Sequence, residues 1–149
     1  MVENIAKSFT LRVEHTGGKI YTEIEAIDSA IFVDEMHFQN VIFNLMDNAV
    51  KYRKQDKPID IYLRTWNDND HLYLSVRDTG LGIKKENLKK IFDKFYRVHT
   101  GNVHDAKGFG LGLAYVHKVV DLHDGEIKVE SEYGKGTTFT IKLPVIKDE

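Results

Sequence analysis

Asn44, Asn48 and Lys51 stand four and three residues apart in "NLMDNAVKY", within a stretch whose apolar residues recur at helical spacing. At about 100° per residue, with Asn44 at zero, Asn48 falls at roughly 40°, Lys51 at roughly −20° and Gln55 at roughly 20°. Phe38, Val41, Ile42, Leu45, Met46 and Ala49 gather on a separate arc, and Tyr52 lies on the border between the two faces. A solvated face is usually built from Glu, Lys and Gln, because the Asn amide competes for backbone hydrogen bonds and weakens a helix. Two amides and an ammonium also suit a ligand. Amide oxygens are neutral donors to a hard cation such as magnesium, a lysine matches phosphate charge, and an aromatic packs on a base. On these residues alone, a solvated face and a ligand site are both consistent.

Glycines gather at three further places. "DTGLGI" (78–83) follows a strand pattern. A turn accounts for it, and so does a wall in which Asp78 accepts from an exocyclic amino group while glycines admit a planar ring. "GFGLGL" (108–113) opens a helix, where free N–H groups and the positive dipole end face an anion. It is not a P-loop, since G-x-x-x-x-G-K-[ST] occurs nowhere, and Leu113 stands where G-x-G-x-x-G needs its last glycine. "GKGTTF" (134–139) lies between two strands, and a hairpin turn explains both of its glycines. From Lys84 to Lys107 seven basic residues face three acids, a local positive charge in a chain of net charge −2.

The elements that must position these residues follow from periodicity. "SFTLRVEHTGGKIYTEIEAI" alternates about Gly17-Gly18 and predicts two strands and a hairpin. Asp34 is placed to cap a helix reaching about Arg53. "IDIYLRTW" and "HLYLSVRD" predict strands joined by a polar turn, and "KKENLKKIFDKFYR" a short basic helix. "VHTGNVHDAKG" has no period and predicts a loop; "GLGLAYVHKVVDLHDG" predicts a helix closed by Gly125. "EIKVESEYGKGTTFTIKLP" predicts two strands stopped by Pro144. Strands arriving in pairs favour an α+β layer arrangement, with helices on one face of a mixed sheet.

The 149 residues suit one domain, 42% apolar and 30% charged, and the near-neutral balance gives no reason to expect nucleic acid or an anionic membrane. There are no cysteines, which excludes disulfides, thiolate metal sites and thiol nucleophiles and fits a reducing, cytoplasmic setting. No apolar run approaches the roughly 18 residues a membrane span needs, so no membrane contact by this segment is expected.

In this order, "HFQNVIFNLMDNAVKY", "DTGLGI", "IFDKFYRV", "GFGLGL" and "GKGTTF" resemble the N, first glycine, F, second glycine and third glycine boxes of the ATP-binding catalytic domain of bacterial sensor histidine kinases. The likeness runs from about Ser8 to Pro144. It implies the Bergerat fold: a two-layer α/β sandwich whose mixed, mostly antiparallel sheet is covered on one face by helices. It implies ATP and Mg2+ as ligands, with Asn48 on the metal and Asn44 ordering metal and phosphates. Lys51 would contact phosphate and Tyr52 would pack on the nucleotide. Asp78 would accept from the adenine amino group, beside Gly80, Gly82, Ile83 and Thr137. Phe92 and Phe95 would hold the base of a lid, residues 98–107, with Tyr96 and Arg97 near the γ-phosphate. Lys107, Gly108, Gly110, Leu111, Gly112 and Leu113 would form the lid's phosphate-contacting end.

The resemblance has one large gap. None of the seven histidines lies in a phosphoacceptor sequence, a His followed by an acid and then Arg-Thr-Pro or similar. The expectation is a kinase module of residues 8–149, preceded by a linker at 1–7 from an absent dimerisation and phosphoacceptor domain, with a response regulator downstream. The same fold also serves free-standing anti-sigma-type serine kinases, modules that sense ATP or ADP without chemistry, and topoisomerase-like or chaperone-like ATPases. The "KFYR" block and the set Asn48, Asp78 and Arg97 argue for the histidine-kinase reading.

Overall fold

The computed structural model describes residues 2–25, 35–93 and 112–145. Along the chain run α1 (Val2–His15), β1 (Ile20–Ile24), α2 (Glu35–Lys51), β2 (Ile61–Asn67) and β3 (His71–Asp78). The one-turn α3 (Lys85–Leu88), then α4 (Gly112–Leu122), β4 (Glu126–Glu132) and β5 (Gly136–Pro144) complete the order.

The five strands form one sheet in the order β1-β2-β3-β5-β4. β1 pairs parallel with β2, and every other pairing is antiparallel. Alternation decides which side chains face the helices. Ile61 and Leu63 of β2, Leu74 and Val76 of β3, and Phe139, Ile141 and Leu143 of β5 are buried. Against them pack Phe38, Val41, Ile42, Leu45, Met46 and Ala49, the arc that the helical spacing of α2 predicts, with Val116, Val119 and Val120 of α4. Fully burying one such aliphatic side chain contributes about 1.5–3 kcal/mol, so this single core accounts for the layering. The α+β, two-layer arrangement matches the expectation.

Two local expectations fail, each for a physical reason. The first strand of the predicted N-terminal hairpin is α1. Phe9, Leu11 and Val13 alternate, but the stronger pattern is Val2, Ile5, Ala6, Phe9 and Val13, at helical spacing, and Leu11 is left 80% exposed. Gly17-Gly18 therefore closes a helix, with Gly18 N–H donating to Val13 O at 3.3 Å. α1 runs unbroken from Val2 to His15, with Ala6 in the core. Freed from a hairpin, β1 pairs with β2 in parallel through the α2 crossover. The basic helix shrinks to α3 followed by turns that reach Asp93. Only Ile91, with Phe92 part-buried beside it, meets the core there, too little apolar face to hold several turns.

The remaining described elements agree with the sequence pattern; the Asp34 cap expected for α2 and the loop expected after the basic helix lie outside the described residues. At the end of α4 it is Asp124 that takes the left-handed conformation (φ 58°), and Gly125 N–H returns to Val120 O at 3.0 Å. The Asp at this position thus leaves the helix stop intact.

Candidate functional site

The site is built from two ends that meet where α2 stops. At one end the last residue of β3, Asp78, pairs in register with Thr137 of β5, and both point toward the helix layer. Asp78 is only 8% exposed and Thr137 6%. The loop after β3 is stitched on both sides: Leu81 N–H donates to Tyr52 O at 2.9 Å, and Ile83 N–H to Ser131 Oγ at 2.7 Å. Gly134 N–H donates to Leu81 O at 2.6 Å.

Two glycines are fixed by that stitching. Gly82 has φ +76°, and a Cβ there would lie 2.2 Å from Glu132 O; Gly136 has φ +140°, and a Cβ would lie 2.0 Å from Asp78 O. Both positions demand a bare backbone. Gly80 is buried, and a Cβ would crowd Tyr52 O at 2.8 Å.

Asp78 Oδ1 accepts from Gly80 N–H at 2.8 Å. Burial pushes its pKa up to about 6, against the opposing pull of the Gly80 and Thr137 backbone amides. No cationic side chain pairs with it among the described residues. A buried carboxylate without a cation has acceptor capacity suited to a neutral N–H donor, such as an amino group on a planar base.

The other end is the edge of α2. Asn44 Nδ2 donates to Asn40 O at 2.7 Å, which commits one amide proton and fixes the side chain. Its Oδ1 faces the first turn of α4, where a Cβ on Gly112 would lie 3.1 Å away. Asn48, one turn on, is half-buried and makes no side-chain hydrogen bond among the described residues. Lys51 Nζ lies 2.9 Å from Asp47 Oδ2, and Asp47 Oδ1 accepts from Arg12 of α1 at 3.1 Å. Lys51 is therefore held in an ion pair. Leu113 packs on the core from the start of α4, and Phe92 lies 5.3 Å from the His117 ring and 6.4 Å from Phe139, centroid to centroid.

The structure thus brings Tyr52, Asp78, Gly80, Gly82, Ile83 and Thr137 together, and Asn44 together with Gly112. Phe95, Tyr96, Arg97, Lys107, Gly108, Gly110 and Leu111, with the lid expected at 98–107, lie outside the described residues. Sequence reasoning missed Ser131, Asp47 and Arg12. Ser131 had a signal: it is the polar member of the inward row Ile127, Val129, Ser131. The Arg12–Asp47 contact joins residues 35 apart and had none.

No group of three or more His, Cys, Asp or Glu among the described residues could hold a metal ion. A hard cation here would be carried by amide oxygens and ligand phosphates.

The model of the histidine kinase-, DNA gyrase B- and HSP90-like ATPases matches residues 33–147. The chain belongs to this family. Sensor protein RprX of Bacteroides fragilis is 56% identical across the whole chain, which covers 29% of that protein. The sensor histidine kinase RcsC of Escherichia coli is 39% identical over 85% of this chain and 13% of its own length. The chain thus spans less than a third of the curated relatives it matches. Among solved structures, full-length ShkA in complex with AMPPNP superposes with a TM-score of 0.82 at 26% identity, covering 99% of this chain and 30% of that one. The catalytic domain of histidine kinase ThkA gives 0.80 at 24% identity, covering 96% and 90%, a likeness of fold. The chain is an ATP-binding catalytic domain of the histidine-kinase type.

Proposed function

We propose that this domain binds Mg-ATP and transfers its γ-phosphoryl group to a histidine on a separate helical-hairpin domain, as one step of two-component signalling that ends on a response regulator. The observation that carries the reading is the buried Asp78, without a cationic partner among the described residues, beside Thr137 and joined through Tyr52 to an edge of amides and a lysine. One end suits an amino-bearing base, and the other suits a polyphosphate.

In this reading Asp78 accepts from the 6-amino group of adenine, and the Gly80–Ile83 loop forms the wall against the ring. Asn48, whose amide makes no hydrogen bond among the described residues, and the Asn44 carbonyl fit a magnesium ion that keeps its waters and phosphate oxygens. Bound there, magnesium would neutralise phosphate charge. Lys51 leaves Asp47 for the phosphates. Arg97 is assigned to the γ-phosphate on the strength of the "FDKFYR" block. Phosphoryl transfer rests mainly on positioning and charge neutralisation, and the attacking imidazole is its own nucleophile, so the chain needs no general base. The bond from the γ-phosphorus to the bridging oxygen breaks, an N–P bond forms on the imidazole, and ADP leaves.

The test is calorimetry of the native chain with ATP and magnesium, followed by incubation with a supplied histidine-bearing hairpin. ATP binding that weakens in Asp78→Asn, and acid-labile phosphate on the hairpin, are expected. Absence of adenine-nucleotide binding would overturn the reading. Acid-stable phosphate on a serine-bearing partner instead would point to a serine kinase.

A further inference from the structure

Three polar side chains form a row across three strands on the helix-facing side of the sheet. Asp78 of β3 pairs in register with Thr137 of β5, and Thr137 with Ser131 of β4. Ser131 also touches Ile83 of the loop after β3. Ser131 Oγ accepts from Ile83 N–H at 2.7 Å, lies 2.9 Å from the Gly136 carbonyl oxygen and lies 2.8 Å from Thr137 Oγ1.

A hydroxyl has one proton and two lone pairs. The Gly136 carbonyl can only accept, so the proton of Ser131 must go there; otherwise two oxygens would face each other at 2.9 Å with no hydrogen between them. Ile83 N–H fills one lone pair of Ser131. The Thr137 hydroxyl must then donate to the other. Every donor and acceptor site on Ser131 is used, and Thr137 has spent its only proton. To a group approaching from the Asp78 side, Thr137 offers lone pairs alone.

We infer that Ser131 is a specificity-determining positioning residue: by taking the proton of Thr137, it makes the base-facing end of the site a pure acceptor. Such an end accepts a 6-amino base and opposes a 6-oxo base, whose oxygen would face oxygens on both Asp78 and Thr137. The inference rests on the adenine-nucleotide reading above and adds to it how a residue outside the glycine boxes sets the choice of base.

The experiment measures affinities for Mg-ATP and Mg-ITP at pH 8 in the native chain, Ser131→Ala and Thr137→Val. The native chain should prefer ATP. Ser131→Ala frees the Thr137 hydroxyl to turn and donate to a 6-oxo group, and should lower the ATP-to-ITP preference by about ten-fold, with ITP bound more tightly than by the native chain. A loop merely loosened at Ile83 would weaken both nucleotides equally and leave the ratio unchanged. Thr137→Val keeps the Ser131–Gly136 and Ser131–Ile83 bonds and removes the opposing oxygen, so its ratio should fall as well, even if Ser131→Ala does not fold. An unchanged ratio in the folded variants, or a native chain indifferent to the base, overturns the inference. A native chain that binds neither nucleotide overturns the functional reading instead, and the inference with it.

Discussion

The two ends of the proposed site, one assigned to the base and one to the phosphates, are built on opposite principles. The base end is a piece of sheet interior: Asp78 and Thr137 are buried, glycines at 82 and 136 leave no room for a Cβ, and Ser131 is saturated with hydrogen bonds. The phosphate end is a helix edge of half-buried amides and a lysine kept in an ion pair. A base of fixed shape rewards a rigid wall, whereas a polyphosphate with its cation must be admitted and released, which suits side chains that can exchange partners. Changes at the base end should therefore disturb fold and binding together, and changes at the phosphate end binding alone.

The largest effect should come from Gly136→Ala. Its Cβ would meet Asp78 O at 2.0 Å, from a φ of +140° that side chains avoid. The strands would have to part at Asp78, with an expected loss of about 4 kcal/mol in urea-unfolding stability. A loss below about 1 kcal/mol would mean that the wall is pliable.

Next comes Asp78→Asn, in which stability and affinity should move in opposite directions. The carboxyl holds its proton more tightly folded, with a pKa of about 6, than its ordinary 3.8. Its contribution to stability is therefore full below about pH 4 and declines by about 3 kcal/mol as pH rises through about 6. The difference between native and Asp78→Asn unfolding free energies, followed from pH 4 to 8, should show that decline; a flat difference would place the carboxyl in water. At pH 7.5 the variant should be the more stable protein and the poorer ATP binder by about thirty-fold, because an ionised acceptor has been lost. In the native chain ATP affinity should also fall as pH drops below about 6, since the protonated carboxyl no longer accepts freely.

How legible the molecule was in its sequence divides along the same line. The α2 arc and the strand alternations are local periodic signals, and the layered fold follows from them; Asp78 was marked by its place before the glycines of "DTGLGI", and Thr137 only by the family resemblance. α1 was misread because Phe9, Leu11 and Val13 satisfy a two-residue period over a short window, while the helical period shows only when Val2, Ile5 and Ala6 are included. α3 was overextended because lysines at helical spacing give no core to pack against. Ser131 stands on the inward row of β4 but lies outside any glycine box, so the resemblance did not reach it. The pairing of Arg12 with Asp47 depends on how α1 and α2 pack, which no local pattern encodes.

That pairing gives the smallest expected effect and the sharpest test of the contrast. Asp47 divides its two oxygens between Arg12 and Lys51, with side chains 45% and 33% exposed on the basic partners. Exposed pairs of this kind each contribute under about 1 kcal/mol, so Arg12→Ala and Asp47→Asn should shift the unfolding midpoint only slightly. Asp47→Asn nevertheless releases Lys51, and ATP no longer has to displace a carboxylate to recruit the ammonium. ATP affinity should rise about three-fold while adenosine affinity, which depends on the base end, stays the same. The gain should shrink in high salt, where the pair is already weakened. If Asp47→Asn instead costs several kcal/mol of stability, or weakens adenosine and ATP alike, the helix edge is as structural as the wall and the distinction between the two ends fails.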